Sequence, residues 1–553
     1  MVGRNWLLLG AAAGLVSSPL VATPLPPAAT APISAARLDA MDKVLASDAF
    51  EGRAPGTIGE TRTIAWLVGK LKALGLQPAA PGGGWTQKVP LVRTQLGAGS
   101  VSATIKGQRI AFTPGDDIYL NTVRPTDRAA IANAPLVFVG YGANAPERGW
   151  NDFKDVDLHG KVAVILVNDP DFEATAADDS TGKFGGRRMT YYGRWIYKYD
   201  EVARRGAVGA LIVHDTPGAG YGWNTVIAPH GENYDIAGAT GRLALQGWLR
   251  EDKAKALFAA SGLDYAKLRA AARRSDFRPV AMNATFDADI AVRHEAVLSH
   301  NVIAKISGST RPREAVMYGA HWDAFGLGAP DARGKVARSG ANDDGLGVAG
   351  LLEVARAFRS GPRPRRSILF GFWTAEERGL LGSEAYALHP SVAPRDTVAN
   401  ITFDILQTGG PSRDVMLVGQ GQNSLESDLV AAARAQGRTV TPEALPERGL
   451  FYRADHFSLA KRGVPTLLLM AISGAPDLVA GGRPAGQAWL DGYMKCYHQT
   501  CDEWRPGWDL SGAAQDIALA YRVGRKLADS GEWPTWSQGS EFRAVREASR
   551  GKR

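Results

Sequence analysis

From Glu295 onward, short apolar runs alternate with stretches of helical periodicity, and this alternation limits the fold more than any other feature of the chain. Ala315-Val-Met-Tyr-Gly-Ala320 reads as a strand. Leu346 to Phe358 reads as a helix, with apolar residues at 348, 351, 352, 355 and 358. Further strands are expected around Ile368, Ile401, Val415 and Val464, and a last helix from about Ala514 to Ala528. Strands and helices in this order form an α/β domain with a mainly parallel sheet. At 553 residues the chain is too long for a single core, so further domains are expected.

Between about Ala134 and Phe286 the texture changes. The runs Pro135-Leu-Val-Phe-Val139, Lys161 to Val167 and Ala207 to His214 are β-like and spaced by Gly, Asn and Asp turns, which reads as an inserted strand-rich domain. A stretch containing Pro, Gly and Thr, Pro78 to Thr113, leads towards it. Ala36 to Leu76 reads as largely helical, with apolar residues at 64, 67, 68, 71 and 74 and a stop at Gly75. In the aromatic-rich run Tyr191 to Tyr199, the near-helical spacing of Trp195, Tyr199 and Val202 favours a core face over a substrate-lining role.

Both ends carry their own signals. Arg4 precedes an apolar run, Trp6 to Val16, that is short for a membrane span, and small residues and prolines follow it. Residues 1–22 therefore read as a cleaved export signal, with an uncleaved anchor as the other reading. An exported chain, periplasmic or secreted, with no stable span after cleavage is expected. The last 18 residues hold five Lys/Arg and two Glu, and they contribute part of the net +8. With no apolar periodicity, 534–553 reads as a basic mobile tail. No nucleic-acid motif accompanies it, so no nucleic-acid partner is expected. Two cysteines occur, Cys496 and Cys501. A disulfide, two free thiols, or a soft metal site with His498 would each fit them.

In the α/β segment, acids and histidines gather at the expected strand ends. His321 and Asp323 follow one strand, and Asp343-Asp344 precede the 346–358 helix. Glu376-Glu377 follow the apolar run Ile368 to Trp373, Asp404 sits in Phe403-Asp-Ile405, and His498 lies between the cysteines. Ligands of open α/β sheets bind outside the carboxyl ends of the strands. Neighbouring side chains at a strand end point in different directions, so one glutamate can hold a metal while the other handles a proton. Singly, each residue has a plainer reading: a packed histidine for His321, a helix cap for Asp343, an arginine ion pair for Asp404.

Together, Gly319-Ala-His-Trp-Asp323, Gly340-Ala-Asn-Asp-Asp-Gly345, Thr374-Ala-Glu-Glu-Arg-Gly-Leu-Leu-Gly-Ser383, Arg453-Ala-Asp-His-Phe457 and Tyr497-His498 resemble the M28 family of zinc peptidases. Leu45-Ala-Ser-Asp-Ala-Phe-Glu-Gly-Arg-Ala-Pro-Gly56 resembles that family's N-terminal lead-in. The resemblance implies a zinc-peptidase (phosphorylase/hydrolase-like) α/β domain, with 34–127 as its first part and 287–533 as its catalytic part. The segments 150–161 and 203–212 resemble a protease-associated (PA) domain, which implies a β-rich PA insert at 128–286. Two Zn²⁺ are implied, with Co²⁺ or Mn²⁺ also compatible with such ligands. Asp343 would bridge them, His321 and Asp404 would complete one site, and Glu377 and His498 the other. With His498 claimed in this way, the disulfide becomes the favoured state of Cys496 and Cys501.

The resemblance also implies roles. Glu376 would be the general base for a metal-bridging water, and Tyr497 would hydrogen-bond the developing oxyanion, with Phe451 and Tyr452 as aromatic alternatives nearby. Asp323 would accept the second ring proton of His321, and Arg453 would face the peptide substrate. An aminopeptidase is the leading expectation. A carboxypeptidase or dipeptidase would need a basic pocket, for which Arg453 and the Arg187-Arg188 pair are candidates. A receptor-like binding protein and a cyclotransferase are further alternatives. The first is disfavoured by the complete ligand set and the second by the large insert. Oligomeric state is not legible.

Overall fold

A computed structural model describes residues 33–551. The export-signal reading at 1–22 lies outside the described residues.

One continuous sheet runs through the molecule. Its first half places Thr466–Leu469, Thr397–Phe403, Arg311–His321 and Arg366–Trp373 side by side, all parallel. The strands Arg366–Trp373, Thr397–Phe403 and Thr466–Leu469 are buried throughout, as parallel strands covered on both faces must be. On one face, the helices Leu346–Ser360 and Ser511–Asp529 share a core with Ala35–Leu45 and Ile58–Ala73. Leu351, Leu352, Phe358, Ile517 and Leu527 interlock there with Val316, Tyr318, Phe370 and Phe403. On the other face Met317, Leu369 and Trp373 pack against Tyr386 and Leu459.

A strand of 27 residues, Val280–Ile306, joins this half to the next. Its end, Val302 to Ile306, pairs antiparallel with Arg366–Trp373, and its beginning pairs with Arg128–Phe138. Thr86–Ile105 runs antiparallel beside it for most of its length. Beyond it, Arg128–Phe138, Val162–Leu166, Gly209–His214 and Leu245–Arg250 are parallel, and Ile118–Asn121 closes the edge antiparallel. Alternate residues of 162–167 enter opposite cores: Val162, Val164 and Leu166 meet Leu257 and Phe258, while Ala163, Ile165 and Val167 meet Tyr199 and Val202. The inserted half therefore carries helices on both faces as well as strands. Trp195 is only partly buried, at the margin of the second core.

Two expected boundaries change. Val101, Ala103, Ile105, Phe112, Ile118 and Leu120 pack into the core of the inserted half, so residues expected in the first part of the main domain belong to the insert. The join is a pair of long strands rather than a linker, and a strand that serves two cores leaves no break in composition. The expected mobile tail is packed: Trp536 and Phe542 are buried and Arg543–Arg550 is a helix. Arg546 donates to the carbonyls of Pro394 (2.7 Å) and Thr397 (2.9 Å), and Arg550 lies 3.6 Å from the Trp533 ring. Charge made this stretch look solvated, but two buried aromatic anchors, the carbonyl-bound Arg546 and the ring-stacked Arg550 hold it. Among the described residues, no helix is long and apolar enough to cross a membrane.

Candidate metal centre

The parallel strands of the first half end at one edge, and the chain turns sharply there. His321 is the last residue of its strand, Asp404 follows Phe403, and Glu376-Glu377 lie three and four residues past Trp373. Asp343 and Asp344 sit in the turn Ala341–Gly345 that opens the 346–360 helix, and the peptide between them is cis. Cys496 and Cys501 are joined in a disulfide, with Cα atoms 5.0 Å apart, and this small loop presents His498. Ala375, Ile405 and His498 all have positive φ, a conformation that non-glycine residues adopt at a cost and that gathers at functional sites.

These turns bring two groups of three ligand-type side chains together, His321-Asp343-Asp404 and Asp343-Glu377-His498. Asp343 is common to both. Its Oδ1 lies 3.2 Å from His321 Nε2 and its Oδ2 lies 3.3 Å from His498 Nε2. Glu377 Oε2 is 3.2 Å from His498 Nε2, and Asp404 Oδ1 is 4.0 Å from His321 Nε2. Glu376 belongs to neither group, yet its Oε2 is 3.9 Å from His321 Nε2. His321 Nε2 and Asp343 Oδ2 are buried without a hydrogen-bond partner. Buried polar atoms are normally satisfied, so two orphans facing one another's cluster fit a cation-binding donor set of nitrogen and oxygen.

The electrostatics agree. Burial pushes the Glu376 and Glu377 carboxyls well above the usual range, with neighbouring acids adding to it. Burial and the adjacent Asp343 bring Asp404 up to about 8. Asp343 is the exception: burial would raise it, but the adjacent His321 and His498 rings hold it below the ordinary carboxylate value. Acids packed this closely without cations of their own favour protonation, and a divalent cation would reverse that preference.

A surrounding layer fixes the turns. Asp344 accepts the backbone N–H of His321 (3.2 Å) and of Gly347 (3.1 Å). A side chain at Gly347 would overlap that carboxylate. Asp502 accepts the N–H groups of Asn342 (3.0 Å) and Asp343 (3.1 Å). Arg53, fully buried, donates to four carbonyls: Trp322 (2.7 Å), Leu45 (3.0 Å), Ser339 (2.6 Å) and Gly340 (2.8 Å). It thereby ties the turn after His321 to the turn before Asp343.

Asp323 differs from its expected role. The Nδ1 of His321 is 3.0 Å from the main-chain oxygen of Asp323 and 3.7 Å from its carboxylate. The carboxylate instead accepts the N–H of Glu376 at 3.0 Å. A carbonyl can hold the ring tautomer, which leaves the acid free to shape the Glu376-Glu377 turn. Tyr497 stacks on His498, with ring centroids 3.6 Å apart. Arg453 is half-buried, within electrostatic reach of Tyr497, Glu376 and Asp404. Tyr452, the aromatic alternative to Tyr497, is buried and donates to Glu541 at 2.9 Å, and Phe451 packs on His456. Arg187 pairs with Glu447 (2.6 Å) and Arg188 bonds the Gln420 carbonyl, so neither forms a free basic pocket.

Sequence reasoning passed over Arg53, Asp502 and Asp455. Asp455 is buried, one of its oxygens lacks a partner, and burial brings it up to about 7. All three stand inside segments already singled out, the lead-in at 45–56, the cysteine loop and Arg453 to Phe457. The available signal was a charged residue inside each motif that had been given no chemical task.

Residues 301–522 match Peptidase family M28. Leupeptin-inactivating enzyme 1 of Streptomyces exfoliatus is 27% identical over 226 residues, 40% of this chain and 48% of that protein. The probable lipoprotein aminopeptidase LpqL of Mycobacterium tuberculosis is 28% identical over 253 residues, 42% of this chain and 46% of that protein. The chain thus spans about half the length of these curated relatives. Among solved structures, the aminopeptidase from Aneurinibacillus sp. strain AM-1 aligns with 91% of this chain and 95% of its own, at 19% identity and a TM-score of 0.46. Both ligand groups, His321-Asp343-Asp404 and Asp343-Glu377-His498, lie within the stretch 301–522 that matches Peptidase family M28.

Proposed function

We propose that the chain is an exported zinc-dependent exopeptidase that removes residues from the amino end of peptides. One observation carries this reading: a single carboxylate, Asp343, lies between two histidines that each belong to a separate three-ligand group, with Glu376 3.9 Å from His321 and in neither group. His321, Asp343 and Asp404 would hold one zinc, and Asp343, Glu377 and His498 the other. When bound, such metals polarise the scissile carbonyl and lower the pKa of water.

The chain's own residues supply the rest. Glu376 is buried, which raises its carboxylate's affinity for a proton; once ionised beside bound cations, it would take a proton from water and return it to the leaving amine. Asp323 holds the Glu376 backbone in place. The Tyr497 hydroxyl has no hydrogen-bond partner among the described residues, which leaves it free to donate to a carbonyl oxygen that gains charge. The aminopeptidase named among the relatives supports reading the amine end. The leader-like segment and the disulfide support export, and the 150–161 and 203–212 segments support a PA-like insert.

The test is a pair of substrates. Zinc-loaded protein should release nitroaniline from leucyl-nitroanilide and leave its N-acetylated counterpart intact. Equal cleavage of both would exclude the amine-end reading, and cleavage of neither peptides nor nitroanilides would exclude the peptidase.

A further inference from the structure

The strand Glu232–Ile236 belongs to the insert in sequence but lies against the first half. It pairs antiparallel with Leu91 to Gln95. Its Tyr234 and Ile236 pack on the cluster of Ala375, Leu381 and Ala385, which flank the Glu376-Glu377 turn. Glu232 is held by Arg93, whose Nε donates to it at 2.7 Å, and Arg93 is itself anchored on Glu295 at 2.8 Å. The other oxygen of Glu232 accepts from Arg378, the residue after Glu377, at 3.1 Å. The Arg378 guanidinium lies over the Tyr234 ring, at 5.1 Å, and over the Phe325 ring, at 5.0 Å. Phe325 in turn meets the His498 imidazole, with ring centroids 4.5 Å apart. It lines one small cavity with Asp343, Glu377 and His498. An unbroken line of contacts thus runs from the insert to a candidate metal ligand.

The two histidines of the centre are held differently. His321 is buried at the end of a strand, and its Nδ1 is 3.0 Å from the main-chain oxygen of Asp323. His498 stands on the disulfide loop at positive φ, with 30% of its side chain exposed. Its Nε2 faces Asp343 and Glu377, and among the described residues its Nδ1 forms no hydrogen bond. A metal-ligating imidazole is normally oriented by a hydrogen bond from its second nitrogen. What touches the His498 ring instead is two other rings, Tyr497 and Phe325. Tyr497 is the chain neighbour of His498 and moves with it. Phe325 comes from the turn after His321, so it can fix His498 relative to the rest of the centre. A cation over a ring face favours one placement of that ring, and Arg378 therefore limits how Phe325 can turn.

We propose that Phe325 and Arg378 are positioning residues for His498, and that Glu232 of the insert sets them. The insert then tunes the site of Asp343, Glu377 and His498 without touching a ligand, and the site of His321 and Asp404 is spared. The proposal rests on the two-zinc reading above. Loss of the Glu232 charge frees Arg378 to turn to water, and Phe325 loses the cation that restrains it.

Zinc binding to the full chain, read by competition with a chromogenic chelator, resolves the two sites, and His498→Ala marks the step that belongs to its own site. Phe325→Ala should weaken that step by about tenfold or more and leave the other within about twofold. Phe325→Tyr should restore it. Glu232→Gln removes no contact with His498, yet it should weaken the same step by about threefold, the worth of one exposed contact between a cation and a ring. Equal weakening of both steps, or of neither, in Phe325→Ala would overturn the proposal, and an unchanged Glu232→Gln would overturn the part given to the insert. Should Phe325→Ala melt early, Glu232→Gln decides. If the parent binds fewer than two zinc ions, the metal reading fails and the ring itself decides the positioning. In metal-free protein labelled with ¹³C-histidine, the His498 ring signal, assigned by its loss in His498→Ala, should shift and broaden in Phe325→Ala and in Glu232→Gln. A signal unchanged in both would overturn the positioning.

Discussion

Replacing Arg53 with methionine tests how the metal turns are held. The side chain is fully buried, and its guanidinium donates four hydrogen bonds of 2.6 to 3.0 Å to main-chain carbonyls. A hydrogen bond from a charged group contributes about 1.5–3 kcal/mol, and a buried acceptor left bare costs about 1–3 kcal/mol. Four such losses do not add fully, because water can enter and the carbonyls can shift. A destabilisation of at least about 4 kcal/mol is therefore expected. Asp42 makes the loss worse: its carboxyl is buried, has no hydrogen-bond partner, and relies on Arg53 as its nearest favourable charge. The metal should feel the change too, since the freed carbonyls belong to Trp322, next to His321, and to Ser339 and Gly340, ahead of Asp343. Outer partners of metal ligands are typically worth about 10–100-fold in affinity. Urea unfolding of the metal-free protein reads the first effect, and competition with a zinc chelator reads the second. Arg53→Lys should be intermediate, because an ammonium keeps the charge but loses the planar fork. A folded Arg53→Met protein with zinc affinity within twofold of the parent would refute the reasoning.

Two further outcomes follow from the same geometry. Zinc binding at pH 7 should release protons. Asp404 sits at about 8 and Glu377 is also raised, so both carry protons that the metal must displace. Apparent affinity therefore rises as pH rises through this range, and calorimetry in buffers of different ionisation enthalpy should show at least one proton released; zero would contradict it. Gly347→Ala should destabilise although it favours helix by about 1 kcal/mol, because the new methyl displaces the Asp344 carboxylate that caps His321 N–H. Overpacking costs about 1–3 kcal/mol, and a methyl that overlaps the Asp344 oxygen belongs at the upper end, so a net loss of about 2 kcal/mol is expected in urea unfolding, and a variant as stable as the parent would exclude the clash.

How much of this could be read from sequence depended on periodicity. The strand from Arg311 and the helix from Leu346 announced themselves because one is continuously apolar and the other repeats every three to four residues. The grouping of His321, Asp343, Glu376, Glu377, Asp404 and His498 was legible because parallel strands leave their ends at one edge. What sequence could not supply was anything set by approach in space. The Asp323 carboxylate turns to a backbone N–H rather than to the imidazole, a choice made by the path of the 374–377 turn. Tyr191 lies far from Tyr452 and Phe457 in the chain, and only the packing of the two halves brings these rings together. The C-terminal stretch has too few aromatic residues to show a pattern, although Trp536 and Phe542 suffice to anchor it. The Thr86–Ile105 strand serves both halves and so showed no boundary.

The central claim is that Glu376 moves a proton while the adjacent Glu377 holds a metal. Glu376→Gln separates the two roles in one protein. Zinc content by elemental analysis should stay at two per chain, while kcat on leucyl-nitroanilide should fall at least a thousandfold. A variant that keeps its zinc and its full turnover would contradict the account.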